Sequence, residues 1–205
     1  MLERLIVFVE EESAEAALLT ILPRLLPESE FQIIRFQGKQ DMLRNLPVRL
    51  RGYSSWLPES WTILVLVDRD NDDCKELKGR LEAMVRNAHL STKSSVQTGV
   101  KFQVALRIVI EELESWFFGD WEAVRAGYPR VSATTPNKER FRDPDGISGG
   151  TWEAMEQVLQ SAGYYKSGLG KIELARTVAQ YMEPARNRSH SFQVFHEAVT
   201  AAISV

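Results

Sequence analysis

Four aspartates lie within six positions of the chain, directly after an apolar run, in the segment ILVLVDRDNDDC (63–74). Close carboxylates repel one another, so such a cluster is costly unless a cation lies among them. Asp68 and Asp70 have the same parity in an extended chain and can point to one side of the strand exit. Mg²⁺ prefers one or two carboxylates together with water and substrate phosphate. The segment therefore predicts a site for a hard cation, Mg²⁺ or Mn²⁺.

Other uses of clustered aspartates fit the segment less well. A calcium loop of the EF-hand type needs Gly at its sixth place and Glu at its twelfth, where this chain has Asp73 and Gly79. A haloacid-dehalogenase phosphatase has Thr or Val at the fifth place, which is Asp72 here. The sequence has no Gly-x4-Gly-Lys-Ser/Thr phosphate-binding loop, and its three histidines lack zinc-ligand spacing. The Asp-x-Asp of a metal-dependent glycosyltransferase stays open as an alternative.

Two further acidic segments follow apolar runs. The run at 4–9 is followed by Glu10 and Glu11, and the run at 101–110 by Glu111. In a parallel sheet the carboxyl ends of the strands share one edge, where ligand sites gather. Glu111 and Glu114 are three apart, so we expect them to share a helical face and to be able to hold a second metal. The alternative for all these acids is a solvated helix start, favoured by the helix dipole.

The segment PARNRSHSF (184–192) carries the most suggestive basic residues. Arg186 and Arg188 are candidates for phosphate contacts, together with Lys171. Lys166 and Arg176 are near Lys171 in sequence. The alternative is that the arginines are solvated loop residues and that a serine, at 189 or 191, caps the next helix.

Apolar runs and helical periodicities alternate over the first half of the chain. This order predicts a parallel sheet of about four strands flanked by helices, with the runs at 4–9 and 62–67 as neighbours. The strand candidates are RLIVFV (4–9), FQIIRF (31–36), TILVLV (62–67) and KFQVALRIVI (101–110). The first helix candidate begins after a cap at Ser13. The second runs from about Gln40 to Arg51, with a break or an end near Pro47. The third runs to Ala88 from about Asp72, which is its predicted cap.

The second half of the chain has a different character. Residues 129–150 contain three prolines and three glycines without periodicity, which predicts a long excursion over the surface. Helical patterns follow at 151–162, 169–182 and 191–203. We predict an α/β domain at 1–120 and a loop plus helical region at 121–205 packed on it, or one single domain. Trp116 and Phe117 are expected in the core.

Composition limits the function classes. The chain has 205 residues with 25 basic and 28 acidic side chains, a formal net charge of −3, so we expect weak, salt-sensitive binding of nucleic acid by the chain alone. One cysteine, Cys74, excludes a disulfide framework. No apolar run approaches the length of a membrane helix, and the N-terminal apolar run is too short for a signal peptide. We therefore expect a cytoplasmic protein without a membrane segment.

Several segments together resemble a known family. A glutamate after the first strand, Asp-x-Asp after the third and a βαβαβαβ order are similar to the Toprim domain of topoisomerases, primases and overcoming-lysogenization-defect (OLD) nucleases. More closely, the chain resembles the bacterial DUF4276 family of unknown function. The segments that carry this resemblance are FVEEESAEAAL, FQGKQDMLRNLPVRLRGY, LVDRDNDDC, IEELESWFFGDWEAV, RDPDGISGGTWEA and PARNRSHSFQVF.

The resemblance implies a Toprim-like, Mg²⁺-dependent nuclease that acts with a partner ATPase in a mobile-element or phage-defence setting. It implies that Asp68 and Asp70 are catalytic and that a glutamate after the first strand acts with them. In the Toprim pattern this glutamate is followed by glycine and, four places after itself, by a second acid. Glu10 is followed by Glu11 and then by Ala14 at its fourth place, whereas the fourth neighbour of Glu11 is Glu15. Both glutamates therefore stay catalytic candidates.

Two other functions stay open. One is a catalytically inert Toprim-like interaction or sensor subunit, and the other is a metal-dependent nucleotidyl or glycosyl transferase. The sequence fixes neither the substrate nor the oligomeric state, and an oligomer is compatible with it. The candidate metal ligands are Glu10, Glu11, Glu15, Asp68, Asp70, Glu111 and Glu114.

Overall fold

A computed structural model describes residues 1–165, 168 and 170–204 of the chain. In this part the chain forms one four-stranded sheet in which every neighbouring pair is parallel, in the order β2-β1-β3-β4. The strands are β1 (Arg4–Val9), β2 (Glu30–Arg35), β3 (Trp61–Asp68) and β4 (Val104–Val109). The predicted α/β fold with a parallel sheet is confirmed, and so is the adjacency of the first and third strands.

Helices cover both faces of the sheet. The two central strands, β1 and β3, are buried almost throughout, which explains their continuous apolar sequence. On one face Ile6 and Val65 belong to a core formed with two helices that follow β2 and β3. On the other face Val7 and Leu64 belong to a larger core formed with the helix after β1 and with the C-terminal helices. The helices that follow β1, β2 and β3 are α1 (Glu12–Leu25), α2 (Lys39–Ser54) and α3 (Cys74–Asn87), respectively.

The strand order creates a switch point between β1 and β3. From β1 the chain passes through α1 to β2 on one side, and from β3 it passes through α3 to β4 on the other. The helices that follow these two strands cover opposite faces of the sheet, so a crevice opens at the carboxyl ends of β1 and β3. In open α/β sheets this crevice is the usual ligand position.

The C-terminal third packs on the sheet and on α1. Trp116 is fully buried between the rings of Phe192 and Phe195, and Phe117 is buried with it, as expected. Arg24 of α1 donates from Nη1 to Met182 O at 2.8 Å and from Nη2 to Ala179 O at 2.6 Å. The described residues of both predicted regions therefore share one core. The helices are α4 (Glu114–Gly119), α5 (Trp121–Gly127), α6 (Thr151–Ser161), α7 (Lys171–Ala179) and α8 (His190–Ile203).

Three details of the predicted helices are wrong. Pro47 does not end α2, because burial of Leu46 and Leu50 on both sides of it holds the helix on the sheet. Ser13 is not a cap but lies inside α1, where its hydroxyl donates to Glu11 Oε1 at 2.5 Å. Asp73, not Asp72, caps α3, and its carboxylate accepts the N–H groups of residues 75 and 76.

The segment at 129–150 is not a simple surface excursion. It forms three short 3-10 turns at 135–137, 139–141 and 144–146. Phe141 is buried and stacks on Phe118 at 5.1 Å between ring centroids, and Ile147 is buried in the same core. Single apolar side chains hold this segment against the core. Because they do not recur at a regular spacing, the sequence shows no periodicity here. Elsewhere, none of the helices in the described residues is long and apolar enough to cross a membrane.

Candidate carboxylate site at the switch point

The first and third strands bring their acidic ends together, as predicted. Glu10 directly follows β1, and its Oε1 accepts a hydrogen bond from Asp68 N at the end of β3, at 2.7 Å. Glu10 is only 8 % exposed. Two carboxylates from positions far apart in the sequence therefore meet in the crevice between the central strands.

Burial perturbs both of these carboxyl groups. It raises the pKa of Glu10 from 4.5 to about 7, against the opposing effects of the Asp68 N–H group and of Lys39. Burial also raises the pKa of Asp68 well above its ordinary value, and the neighbouring charges of Glu10 and Glu114 raise it further. The side chains thus hold protons at pH values at which a solvated carboxylate is ionised.

Glu114 is the third carboxyl group of this site, and its charge acts on Asp68. It is the first residue of α4, it is 1 % exposed, and its Oε1 has no hydrogen-bond partner among the described residues. Burial raises its pKa to about 7, although the charge of Lys171 lowers it. Leaving a buried polar atom without a partner is costly, so this oxygen is a candidate contact for a ligand or an ordered water.

The exits of β3 and β4 are tied together by an unusual backbone turn. Asp70 and Glu111 both have left-handed backbone angles, with φ of 49° and 61°, and Asp70 N donates to Glu111 O at 3.0 Å. Left-handed residues other than glycine are uncommon and cluster at functional sites. Because Glu111 forms this turn outside α4, the expectation that it shares a helical face with Glu114 is wrong.

Lys39 is a site residue that the sequence analysis missed. Its Nζ donates to the main-chain oxygens of Asp68 and Arg69 at 2.7 and 2.8 Å and pairs with the carboxylates of Asp70 at 3.2 Å and Asp72 at 2.7 Å. This explains how the four-aspartate segment is tolerated. The available signal was the position of Lys39, one residue after Gly38 and just beyond the end of β2, at the same edge of the sheet.

The remaining acidic candidates are held by side-chain partners. Glu15 pairs with Arg35 at 3.2 Å, and Glu111 pairs with Arg69. Glu11 accepts the Ser13 hydroxyl and contributes to the electrostatic field at Asp68 and Glu114. Glu10, Asp68 and Glu114 therefore remain as the group with raised pKa, while Asp70, Glu15 and Glu111 pair with cations around it.

Of the predicted phosphate-binding residues, Lys171 lies at this site. Its Nζ is 3.7 Å from Glu112 Oε1 and 4.8 Å from the centroid of the Trp152 ring. The carboxylate of Glu112 also accepts a hydrogen bond from the main-chain N–H of Trp152 at 2.9 Å. The charges of Glu114, Glu11 and Asp68 also act on Lys171. Lys171 is thus a cation placed beside the buried carboxylates.

The two arginines are elsewhere. Arg186 binds Asp120 through Nε at 2.7 Å and Nη2 at 3.0 Å, and it also pairs with Glu122 at 3.2 Å. This is a structural ion pair. Arg188 is exposed and its N–H group donates to Gly119 O. Ser189 caps α8, as the alternative interpretation held. Lys166 lies outside the described residues.

Two open clefts adjoin the buried carboxylates. One, of about 370 Å³, is lined by Glu10, Glu11, Arg35 and Lys171 among others. The other, of about 500 Å³, is lined by Asp70 and by acidic residues that follow β4 or belong to α6. A ligand can therefore approach the switch point from two sides.

The residues present fit a hard cation in composition. As the side chains stand, no three of the acidic, histidine or cysteine side chains in the described ranges are arranged to hold one ion together. Glu114, whose Oε1 has no partner among the described residues, nevertheless offers oxygen ligands only, as do Glu10 and Asp68. Carboxylate oxygens are ligands of the type that Mg²⁺ and Mn²⁺ prefer.

Comparison with known proteins gives one match. A family model described as a domain of unknown function, DUF4276, matches residues 9–200. No curated protein and no solved structure matches the chain.

Proposed function

The chain belongs to the DUF4276 family, and we propose that it is a metal-dependent phosphodiester hydrolase, a nuclease of Toprim-like chemistry. The observation that supports this proposal is a group of three carboxyl groups at the switch point: Glu10 and Glu114 are buried, Asp68 is half-buried, and Glu114 Oε1 has no hydrogen-bond partner among the described residues. A folded protein rarely keeps such a group unless a ligand completes it.

The side chains divide the work as follows. Asp68 and Glu114 would hold Mg²⁺ or Mn²⁺, which supplies charge neutralisation at the phosphate. Glu10 lines the open cleft and has a pKa of about 7, so it is suited to accept a proton from an attacking water at neutral pH. Lys171 lines the same cleft and can bind a phosphate oxygen of the substrate.

The cellular setting is part of the proposal. The sequence has no phosphate-binding loop and its net charge is −3, so we propose that an ATPase partner delivers nucleic acid to the site. The similarity to Toprim-containing nucleases and the single cysteine support a cytoplasmic enzyme of a mobile-element or phage-defence system. Alone, the chain binds nucleic acid weakly and loses that binding as salt rises.

One observation favours a second function, an inert interaction or sensor subunit. Lys39 already neutralises Asp70 and Asp72 with direct ion pairs, as an internal ammonium does in a protein that needs no metal. In that case the buried carboxyl groups stay protonated and the fold serves as a scaffold. The two functions differ in whether the site binds a divalent cation.

The decisive experiment combines cleavage and calorimetry. Wild type with its partner, ATP and Mn²⁺ is expected to cleave nucleic acid and to bind Mn²⁺. Asp68→Asn should abolish both, since it removes a ligand charge at nearly constant volume. Glu10→Gln should lower the cleavage rate about 10²- to 10⁴-fold, the usual contribution of a general base. Asp70→Asn should lower it less, because Lys39 holds that carboxylate.

Glu59→Gln is the matched control. Glu59 is exposed between α2 and β3, at the opposite end of the sheet, and its change should leave cleavage and metal binding intact. Absence of cleavage of any nucleic acid, together with absence of Mn²⁺ binding that Asp68→Asn removes, would refute the nuclease and favour the scaffold.

A further inference from the structure

A second cavity lies on the far side of β4 from the switch point. It has a volume of about 510 Å³ and is enclosed by α3, the outer edge of β4 and α8. Most of its wall is apolar, with Ile108, Ile110 and Val194 among the lining residues. Volumes of this size and walls of this kind are typical of small-molecule sites.

Two cationic side chains in this cavity, Lys78 and Arg107, donate hydrogen bonds to the same carbonyl group, that of Leu106. Ile63 N donates to Gln103 O and Arg69 N to Val109 O, so alternation along β4 turns the Leu106 carbonyl outward, into the cavity. Lys78 Nζ donates to that oxygen at 2.9 Å and Arg107 Nη1 at 2.7 Å. Two full positive charges therefore converge on an atom that carries only a partial negative charge.

Carboxylates do little to balance these cations. The carboxylate nearest to Lys78 is Glu82 at 3.9 Å, and the same oxygen accepts the Ser94 hydroxyl at 2.6 Å. Arg107 forms no ion pair among the described residues: its Nε donates to Val194 O at 2.9 Å, and Glu197 acts on it only at longer range. Burial lowers the pKa of Lys78, and the charge of Arg107 lowers it further. An anion in the cavity would relieve this repulsion.

We propose that this cavity binds a small organic anion, in which one carboxylate, sulfonate or phosphate group meets Lys78 and Arg107 while an apolar body covers the isoleucines. Lys93 also lines the cavity and adds a third cation to its rim. The apolar wall distinguishes this ligand from inorganic phosphate, which would leave most of the cavity unfilled. The site is separate from the carboxylate site and goes beyond the proposed nuclease function.

The first test measures affinity with a matched pair of probes. The anion 8-anilinonaphthalene-1-sulfonate should bind the folded wild type at one site, and more tightly than N-phenyl-1-naphthylamine, its neutral counterpart. Lys78→Met keeps the side-chain stem and should weaken the anion about tenfold or more, the usual effect of losing a charged hydrogen bond. It should leave the neutral probe unchanged. Lys93→Met, on a loop, is a second variant with little risk to folding.

Lys75→Met is the control, because Lys75 is exposed on the same helix and does not line the cavity. It should leave the binding of both probes unchanged. Equal affinity of the two probes for wild type, or equal affinity of the anion for wild type, Lys78→Met and Lys93→Met, would overturn the proposal.

The second test locates the bound anion. Cys74 is the single cysteine of the chain and lines this cavity, so its alkylation by iodoacetamide reports occupancy directly. Octanoate should slow alkylation at least severalfold in wild type, while octanamide, its neutral counterpart, should not, and Lys78→Met should lose the protection. Alkylation rates that octanoate does not change would place the anion elsewhere and refute the assignment.

Discussion

Glu114 begins α4 and Asp120 lies between α4 and α5; both are 1 % exposed, but their surroundings are opposite. Asp120 accepts two hydrogen bonds from Arg186, one from Glu183 N at 2.7 Å and one from Ala123 N at 3.2 Å. Glu114 has an oxygen without a partner and a pKa of about 7. The fold thus supplies four hydrogen bonds to Asp120 and leaves one oxygen of Glu114 without a donor among the described residues.

The largest effect is expected from breaking the satisfied carboxylate. Asp120→Ala leaves the Arg186 guanidinium and two N–H groups without their acceptor, and it should lower the free energy of unfolding by roughly 3–5 kcal/mol. Urea denaturation measures this loss. Asp120→Asn keeps some acceptors and should lose less; a change below about 1 kcal/mol in Asp120→Ala would contradict the structural role of the pair.

The next effect concerns pH and the two carboxyl groups, Glu10 and Glu114, whose pKa values burial raises to about 7. In the metal-free protein Glu10 and Glu114 hold protons until pH approaches 7, while in the unfolded chain they ionise near 4.5. Stability is therefore complete below pH 4.5 and falls as pH rises through 7, by on the order of 3 kcal/mol for each group. Glu114→Gln mimics the protonated acid, so it should be more stable than wild type at pH 8 and similar at pH 4.5.

Urea denaturation of both proteins across this pH range checks that prediction. Arg186→Leu serves as a contrast, since it should destabilise the protein at both pH values. Parallel pH profiles for wild type and Glu114→Gln would show that Glu114 is not held protonated.

Binding of a divalent cation should restore the stability that the protein loses when the carboxyl groups at the switch point ionise. At a concentration of one hundred times its dissociation constant, Mn²⁺ should stabilise wild type by about 2.7 kcal/mol. Thermal denaturation at pH 8 with Mn²⁺ and then with excess EDTA measures the gain and its loss. Asp68→Asn should show neither, whereas Asp120→Asn should keep the gain. An identical Mn²⁺ effect in wild type and Asp68→Asn would place the ion elsewhere.

The smallest effect is expected at Lys39. Its carboxylate partners are half exposed, with side chains 46 % and 52 % accessible, so the ion pairs contribute little. Lys39→Met should cost about 1 kcal/mol in the metal-free protein, and added Mn²⁺ should recover part of it by compensating the same aspartates. A chemical denaturation series with and without Mn²⁺ separates these contributions, and a loss above about 3 kcal/mol would make Lys39 the main structural cation.

The central strands of the fold could be predicted because strands that are buried on both faces have continuous apolar sequences. RLIVFV and TILVLV are continuous β-branched and apolar runs, and each ends at an acid. Their adjacency follows from the order of strands and helices. The path of residues 129–150 could not be predicted, because single side chains such as Phe141 anchor it through contacts with distant residues.

The site could be predicted as a group of acids but not divided into compensated and uncompensated members. That division depends on cations from other segments: Arg35 for Glu15, Arg69 for Glu111 and Lys39 for Asp70. Spacing along the chain does not contain these pairings. The same limit applies to Arg186, whose acidic partner Asp120 is 66 positions away.

The contact of Arg24 with the end of α7 has a consequence for synthesis of the chain. This arginine lies on the first helix, yet it binds main-chain oxygens 155 and 158 positions later. A nascent chain that has completed the sheet still lacks Lys171, and its crevice stays open to water until the last helices leave the ribosome. Contacts of such sequence separation form slowly. Lys171 belongs to α7, so this cation reaches the cleft beside Glu10 only after α7 has packed against α1.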